Sequence, residues 1–137
     1  MKINVTQVLN NFDGKPMKEN RQEGEDDAGK PVMKLVDLTL RSVLCTALMH
    51  TTQAEAAAGP SAEQRVRRFM IAQVVVENDV VVLRSEDITY LKERVNNLFP
   101  TNVVAVTYRM LEPSSWPKRS EVVGVAKKAP LPAPANA

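Results

Sequence analysis

The sequence has little of the chemistry that most enzymes and metal proteins use. Its 137 residues include a single cysteine, Cys45, and a single histidine, His50. One cysteine excludes an internal disulfide and a cysteine-rich metal cluster. His50 has no acidic or cysteine partner at ligand spacing, and on a helix it would point away from Cys45. We therefore expect no catalytic residue, no metal ligand, no cofactor and no small-molecule substrate.

Long apolar runs are missing as well. No stretch approaches the roughly 18 apolar residues that a membrane-spanning helix requires. The first residues, "MKINVTQVLNNFDGK", lack the apolar core of a secretory signal peptide. The formal net charge of +2 is close to balance, which argues against a dedicated nucleic-acid binder. These absences predict a cytoplasmic protein with no membrane partner and no nucleic-acid partner.

The N-terminal part of the chain predicts a β-hairpin. "KINVTQVL" is rich in branched residues and predicts a first strand. Asp13-Gly14 predicts a turn, and "PVMKLVDL" predicts the returning strand. Residues 15–31 include "KENRQEGEDDA", which has no apolar residue before Ala28. We expect this segment to be a flexible polar loop, because it has no hydrophobic side chains to offset its chain entropy.

Three amphipathic helices are predicted after the hairpin. The first begins after Thr39 and ends between residues 56 and 60. The second begins after Ser61, where "SAEQ" fits a capping box. The third begins at Ser85 and stops at Pro100. The residues predicted to face the core are Leu40, Val43, Leu44, Ala47 and Leu48, then Val66, Phe69, Met70 and Val74, then Ile88, Leu91, Val95 and Leu98.

Residues 101–112 fit two secondary structures. Thr101 and Pro113 are typical boundaries of a helix, whereas "VVAVTY" has the composition of a strand. The length and the two boundaries favour a fourth helix. After residue 112 proline, alanine and lysine dominate, which predicts an extended tail over residues 113–137 beside a helical domain over residues 1–112.

The stretch "VVVENDVVVLRSED", residues 74–87, is the place in the sequence most like a metal site. A calcium loop between helices needs oxygen ligands at alternate positions and a glycine at the bend. Here Asp79 is followed by three valines, and glycine is missing. The pattern predicts a plain connection instead, in which Val80 to Leu83 form a short buried crossing before the next helix.

The candidate partner-binding residues are one aromatic and several basic side chains. Trp116 is the only tryptophan, and it stands between Pro113 and Pro117. An aromatic anchor with little freedom to lose favours docking on a protein. The basic candidates, which predict an acidic target surface, are Lys118, Arg119, Arg65 and Arg68. Two alternatives stay open: Trp116 folds back on the helical body, and the arginines form a solvated helix face.

Four segments in order carry a resemblance. "FDGKP", "LTLRSVLCTALM", "EQRVRRFMIAQ" and "LRSEDITYLKERV" together resemble a group of small proteins encoded by bacteriophages and prophages, over roughly Lys2 to Glu112. The helical body with an alanine- and proline-rich tail is also similar in outline to phage tail assembly chaperones. The resemblance implies an accessory or assembly protein rather than an enzyme, and it carries over no site residue.

The sequence therefore predicts a mainly α fold with a small β element, an N-terminal β-hairpin followed by three to four amphipathic helices. The predicted function is non-enzymatic: a phage or prophage protein that acts through protein–protein contacts in virion assembly, or that becomes a minor virion component. Its partner would be a phage structural protein or a second copy of the chain. It would work in the host cytoplasm or in the particle. The alternative is a phage-encoded regulator that binds and inhibits a host protein.

Overall fold

The computed structural model describes residues 1–118. Within them the strands are β1 (Lys2–Asn4), β2 (Lys18–Glu25), β3 (Pro31–Asp37) and β4 (Val80–Val82). The helices are α1 (Leu40–Met49), α2 (Gln53–Ala58), α3 (Ala62–Glu77), α4 (Ser85–Leu98) and α5 (Thr101–Leu111), followed by a 3-10 turn at Pro113–Ser115. None of these helices is long and apolar enough to cross a membrane. The fold is mainly α with a small β element, as the sequence predicts.

The β element consists of two separate two-stranded sheets. β2 and β3 form an antiparallel hairpin, and β1 pairs antiparallel with the distant β4, with Ile3 opposite Val81. The predicted first strand is therefore a strand only at Lys2–Asn4, and its partner is not the one expected. The Asp13-Gly14 turn is present, with Gly14 at a φ of 82° that favours glycine. It does not join the hairpin strands.

The prediction of a loop over residues 15–31 is wrong for residues 18–25, which form β2. Opposite charges face each other across the hairpin, in the pairs Lys18–Asp37 and Lys34–Glu23. At its base, the Ser42 hydroxyl donates its one hydrogen to the Glu19 carboxylate, whose two oxygens lie 2.8 and 2.7 Å from Ser42 Oγ. Main-chain bonds and these pairs hold the strands together without burying them. A pattern of apolar residues cannot detect such a strand.

The core lies between α1, α4 and the inner side of α3, with α5 packed on α4. The predicted core faces of α1 and α4 are confirmed, except that Leu98 is half-buried, and α5 is a helix, as favoured. α1 ends at Met49, earlier than predicted, because Thr52 begins a separate helix with Glu55 in a capping box. The largest fully buried side chains are Leu9, Leu40, Leu44, Leu48, Leu91 and Leu111.

The predicted core face of α3 is wrong. Val66, Phe69, Met70 and Val74 are exposed, with between 43% and 60% of their surface accessible. The residues that α3 buries are Arg68, Ala72 and Val75. α3 therefore presents four apolar side chains to solvent, while it buries Ala72 and Val75 and packs Ile71 partly against the core. We call the four exposed residues the α3 face.

Two truncations test this orientation of α3. Leu91 is fully buried, so Leu91→Ala should lower the free energy of unfolding by about 2–5 kcal/mol. Phe69 is more than half exposed, so Phe69→Ala should change it by only about 0.5 kcal/mol. Urea denaturation followed by circular dichroism measures both values. Similar large losses for the two variants would mean that Phe69 lies in the core.

Thr107 offers a stabilising substitution. It is fully buried in α5, and its hydroxyl oxygen has no hydrogen-bond partner among the described residues. A buried hydroxyl without a partner costs free energy, and valine has nearly the same shape without that group. Thr107→Val should raise the free energy of unfolding by about 1 kcal/mol. A lower midpoint in urea for the variant would show that the hydroxyl is hydrogen-bonded.

Candidate protein-interaction surface

The three arginines of α3 do not form one basic patch. Arg68 is 6% exposed and donates from Nε to the Tyr90 hydroxyl at 2.7 Å. Arg67 bonds to the Asp87 carboxylate at 3.2 Å and stacks over the Tyr90 ring, 4.5 Å from its centroid. Arg65 is exposed. Burial therefore removes Arg68 from the predicted binding residues, while Arg65 stays a prediction.

Arg68 belongs to a cluster of charges around Glu55. The Glu55 carboxylate accepts from Arg68 of α3 and from Arg94 of α4, and both arginines are buried. Arg94 also donates to the carbonyls of Ala47, at 2.9 Å, and of His50 at the end of α1. This Glu55 cluster connects α1, α2, α3 and α4.

The acidity of Glu55 follows from these contacts. Burial by itself raises the pKa of the Glu55 carboxyl from its usual 4.5, but hydrogen bonds from Arg68 and Arg94 outweigh this effect. With a further bond from the Thr52 backbone amide, the pKa falls to about 2. The carboxylate is charged at neutral pH and compensates two buried guanidinium groups.

Trp116 lies against the helical body. Its ring stacks with Arg109 of α5, 5.5 Å from the guanidinium carbon to the ring centroid, and remains nearly half exposed. With Phe12, which is almost fully exposed, it lines a groove of about 860 Å³ beside the N-terminal half of α5. Trp116 thus contacts the body and still presents ring surface to a partner. Lys118 is exposed, and Arg119 lies outside the described residues.

A second groove runs along α3. It has a volume of about 640 Å³ and lies between α3 and the segment that follows β4. Val66, Met70 and Val74 of the α3 face line one wall, and Val82 and Leu83 line the other. Arg67, Arg84 and Asp87 lie at its rim and are already joined to each other by ion pairs. This α3 groove therefore offers an apolar wall with few free charges.

At the edge of the α3 face that lies away from the α3 groove, Phe69 and Val76 border a smaller cavity of about 270 Å³ with Cys45 and Met49. Burial raises the pKa of the Cys45 thiol, and the nearby charge of Arg41 lowers it by a smaller amount. The thiol is therefore protonated at neutral pH, and Cys45 contributes to this cavity as an apolar side chain.

The segment from Glu77 to Asp87 is a connection, as predicted, but the expected buried crossing over Val80 to Leu83 is only partly correct. Val81 and Leu83 are buried, whereas Val80 and Val82 are exposed, and Ser85 begins α4. Asp79 accepts from Arg41 at 2.8 Å, and Asp87 from Arg67, so these carboxylates bind arginines. Among residues 1–118, no group of three or more histidine, cysteine, aspartate or glutamate side chains is placed to hold a metal ion.

Removing the charge of Glu55 should destabilise the fold. Glu55→Gln leaves the buried Arg68 and Arg94 without their counter-ion, so we expect a loss of about 3 kcal/mol or more at pH 7. The exposed Glu93, which makes no ion pair with any residue in 1–118, provides the matched control Glu93→Gln. Urea denaturation of both variants gives the comparison, and equal stability of the two would contradict a structural role for the cluster.

The same carboxylate should make stability depend on pH. Its pKa is lower in the folded state, about 2, than its usual 4.5, so the folded chain binds the proton more weakly. The stabilisation is complete above about pH 4.5 and is lost as pH falls toward 2, by about 3 kcal/mol in all. Denaturation at several pH values should show a shallower acid loss in Glu55→Gln than in the unmodified chain. Identical slopes would rule out this contribution.

Comparison with known proteins identifies no relative whose surfaces could be compared with these. No model of a known protein family, no curated protein and no solved structure matches the chain. The candidate surface is therefore defined by its own geometry: the exposed α3 face, the groove beside it, and the separate groove that Phe12 and Trp116 line.

Proposed function

We propose that this chain is a non-enzymatic phage or prophage protein that acts through protein–protein contacts, in virion assembly or as a minor component of the particle. The observation that carries the proposal is the α3 face, four large apolar side chains in solvent on one helix. β4 extends this apolar surface with Val80 and Val82, which are exposed as well. Covering such a surface stabilises a complex by about 25 cal/mol per Å² of apolar area.

The α3 face is suited to binding because its scaffold is already ordered. Arg68, Ala72 and Val75 hold the inner side of α3 against the core, and the Glu55 cluster ties the helix to its neighbours. A partner would therefore meet a preformed surface and would have little side-chain or backbone freedom to remove. Arg67, Arg84 and Asp87 at the groove are paired with each other, which leaves Glu63 as the charged lining residue without an ion pair among the described residues, so apolar contact dominates recognition here.

The groove at Trp116 supports a second contact of the same protein. Phe12 and Trp116 supply exposed aromatic surface, and Arg109, which also lines the groove, adds positive charge. This combination favours an acidic protein surface with an apolar residue to place between the rings. A role in the virion is supported by the resemblance of four sequence segments, which occur in the same order, to small phage and prophage proteins.

The test compares two lysine variants in cells in which the encoding phage or prophage is active. Met70→Lys places a charge in the centre of the α3 face, while Asn96→Lys places the same charge on the exposed side of α4. The tagged chain is recovered from these cells, and purified particles are analysed by mass spectrometry. We expect phage structural proteins with the unmodified chain and with Asn96→Lys, and a loss of about tenfold or more with Met70→Lys.

The other outcomes separate the alternatives. Recovery of one host protein in a stable ratio, with the chain absent from particles, would favour the regulator that inhibits a host protein. Equal recovery of partners by Met70→Lys and Asn96→Lys would show that the α3 face does not bind. Circular dichroism of both variants confirms that a difference comes from the surface and not from unfolding.

A further inference from the structure

We infer that the occupant of the α3 groove is a second copy of this chain, which pairs antiparallel with the open edge of β4. The inference rests on the proposed function, because it names the partner of the same surface. A symmetric dimer would join two β1–β4 sheets into one sheet of four strands in the order β1-β4-β4-β1, and it would cover Val66, Met70 and Val74 of the α3 face in each copy.

The open edge follows from the hydrogen bonds of β1 with β4. The amide of Leu83 donates to the carbonyl of Met1 at 3.0 Å, and the amide of Val5 donates to the carbonyl of Asp79 at 2.9 Å. In an antiparallel pair the hydrogen-bonded residues alternate along the strand, so residues 79, 81 and 83 face β1. The N–H and C=O groups of Val80 and Val82 therefore point away from β1.

These outward groups have no hydrogen-bond partner within the described part of the chain. Val80 and Val82 are also 51% and 71% exposed, so β4 is accessible to solvent at these two residues. The α3 groove includes Val82 and no β1 residue, which places it on the open side of β4. An exposed strand edge with apolar side chains is a template for pairing with another strand.

The register of this edge is complementary to itself. If two copies of β4 meet antiparallel with Val81 at the twofold axis, Val80 of one copy lies opposite Val82 of the other. These are the two residues whose main-chain groups point outward, so the pairing forms four main-chain hydrogen bonds. If the twofold axis lay at Val80 or at Val82 instead, only one of the two outward-pointing residues of each strand would form these main-chain hydrogen bonds within β4. The twofold arrangement is the commonest symmetry of homodimers.

The side chains and charges agree with an antiparallel arrangement. The exposed Val80 and Val82 of one strand would pack beside those of the other, and the added strand would lie along Val66, Met70 and Val74. Asp79 precedes β4 and Arg84 follows it. Within each copy Asp79 pairs with Arg41 and Arg84 pairs with Asp87, and the side chains of Asp79 and Arg84 remain mostly exposed. Antiparallel strands place the acidic end near the basic end of the other copy, whereas parallel strands would place like charges together.

Proline substitution isolates this edge. Val82→Pro removes an amide that points outward and leaves the ladder with β1 intact. Lys2→Pro is the matched control, because Lys2 lies directly opposite Val82 in the ladder. Its amide also points away from the ladder, but at the outer edge of β1 instead of the outer edge of β4. The full chain and both variants are studied by sedimentation equilibrium between about 1 and 200 µM, where an interface of modest size associates. Circular dichroism confirms that each is folded.

We expect a monomer–dimer equilibrium for the unmodified chain and for Lys2→Pro, and dimerisation weaker by about tenfold or more for Val82→Pro. A monomeric unmodified chain at about 200 µM would overturn the inference. So would equal dimerisation of Val82→Pro and Lys2→Pro, which would place the interface elsewhere. If the monomeric chain still binds a phage protein through Met70, the proposed function stands and the occupant is a strand of another protein.

A second measurement does not depend on a variant. Hydrogen exchange of the unmodified chain, measured by NMR at low and high concentration, reports on the amides of Val80 and Val82. In the dimer these amides are hydrogen-bonded and should exchange at least about tenfold more slowly at high concentration, while the amide of Lys2 should not change. Unchanged exchange at Val80 and Val82 across the concentration range would refute the pairing even if the chain dimerises.

Discussion

The inward orientation of Arg68 is the constraint on which the candidate binding surface depends. Its guanidinium is buried against Glu55 and Tyr90, so α3 is fixed in its rotation about its own axis. A helix turns about 100° per residue, so a helix that points position 68 inward cannot also bury positions 66, 70 and 74. Exposure of the α3 face therefore follows from one buried arginine and its counter-ion.

Glu55 makes this orientation possible, and its own position depends on a short helix. Thr52 begins α2 with a capping box, which directs the Glu55 carboxylate toward Arg68 and Arg94. Replacing a buried ion pair by apolar residues often leaves stability unchanged, while removing one partner is costly. The main effect of the Glu55 cluster is therefore to fix the orientation of α3 about its own axis, more than to add stability.

The sequence predicts those parts of the fold in which burial and periodicity agree. α1 and α4 each have one apolar face, and that face is buried, so their core residues were predicted from spacing. α3 has the same spacing on its exposed side, and spacing cannot distinguish a core face from an interface. The decisive contact, Glu55 with Arg68, joins an alanine-rich segment to a run of arginines and leaves no periodic pattern.

Neither β-sheet can be predicted from local sequence patterns, and the reason differs between the two sheets. β2 contains no large apolar residue and is held by the ladder with β3 and by cross-strand charges. β1 pairs with a strand that three helices separate from it, and only the tertiary fold brings Lys2 opposite Val82. Of the predicted binding residues, Trp116 lines the groove that it shares with Phe12, and Lys118 follows Trp116 by two residues in the chain. The basic run of α3 is divided between an exposed, a half-buried and a buried arginine.

The two grooves share no residue, and this separation has a consequence for binding. In the proposed dimer the α3 groove is filled by the second copy, while the groove at Phe12 and Trp116 stays open in each copy. A dimer would therefore present two identical aromatic sites related by the twofold axis. Two linked sites bind a repeated surface more tightly than either site alone, because the second contact forms at a high effective concentration. In the proposed function the target is a particle built of repeated subunits, so the two aromatic sites of the proposed dimer would engage it together.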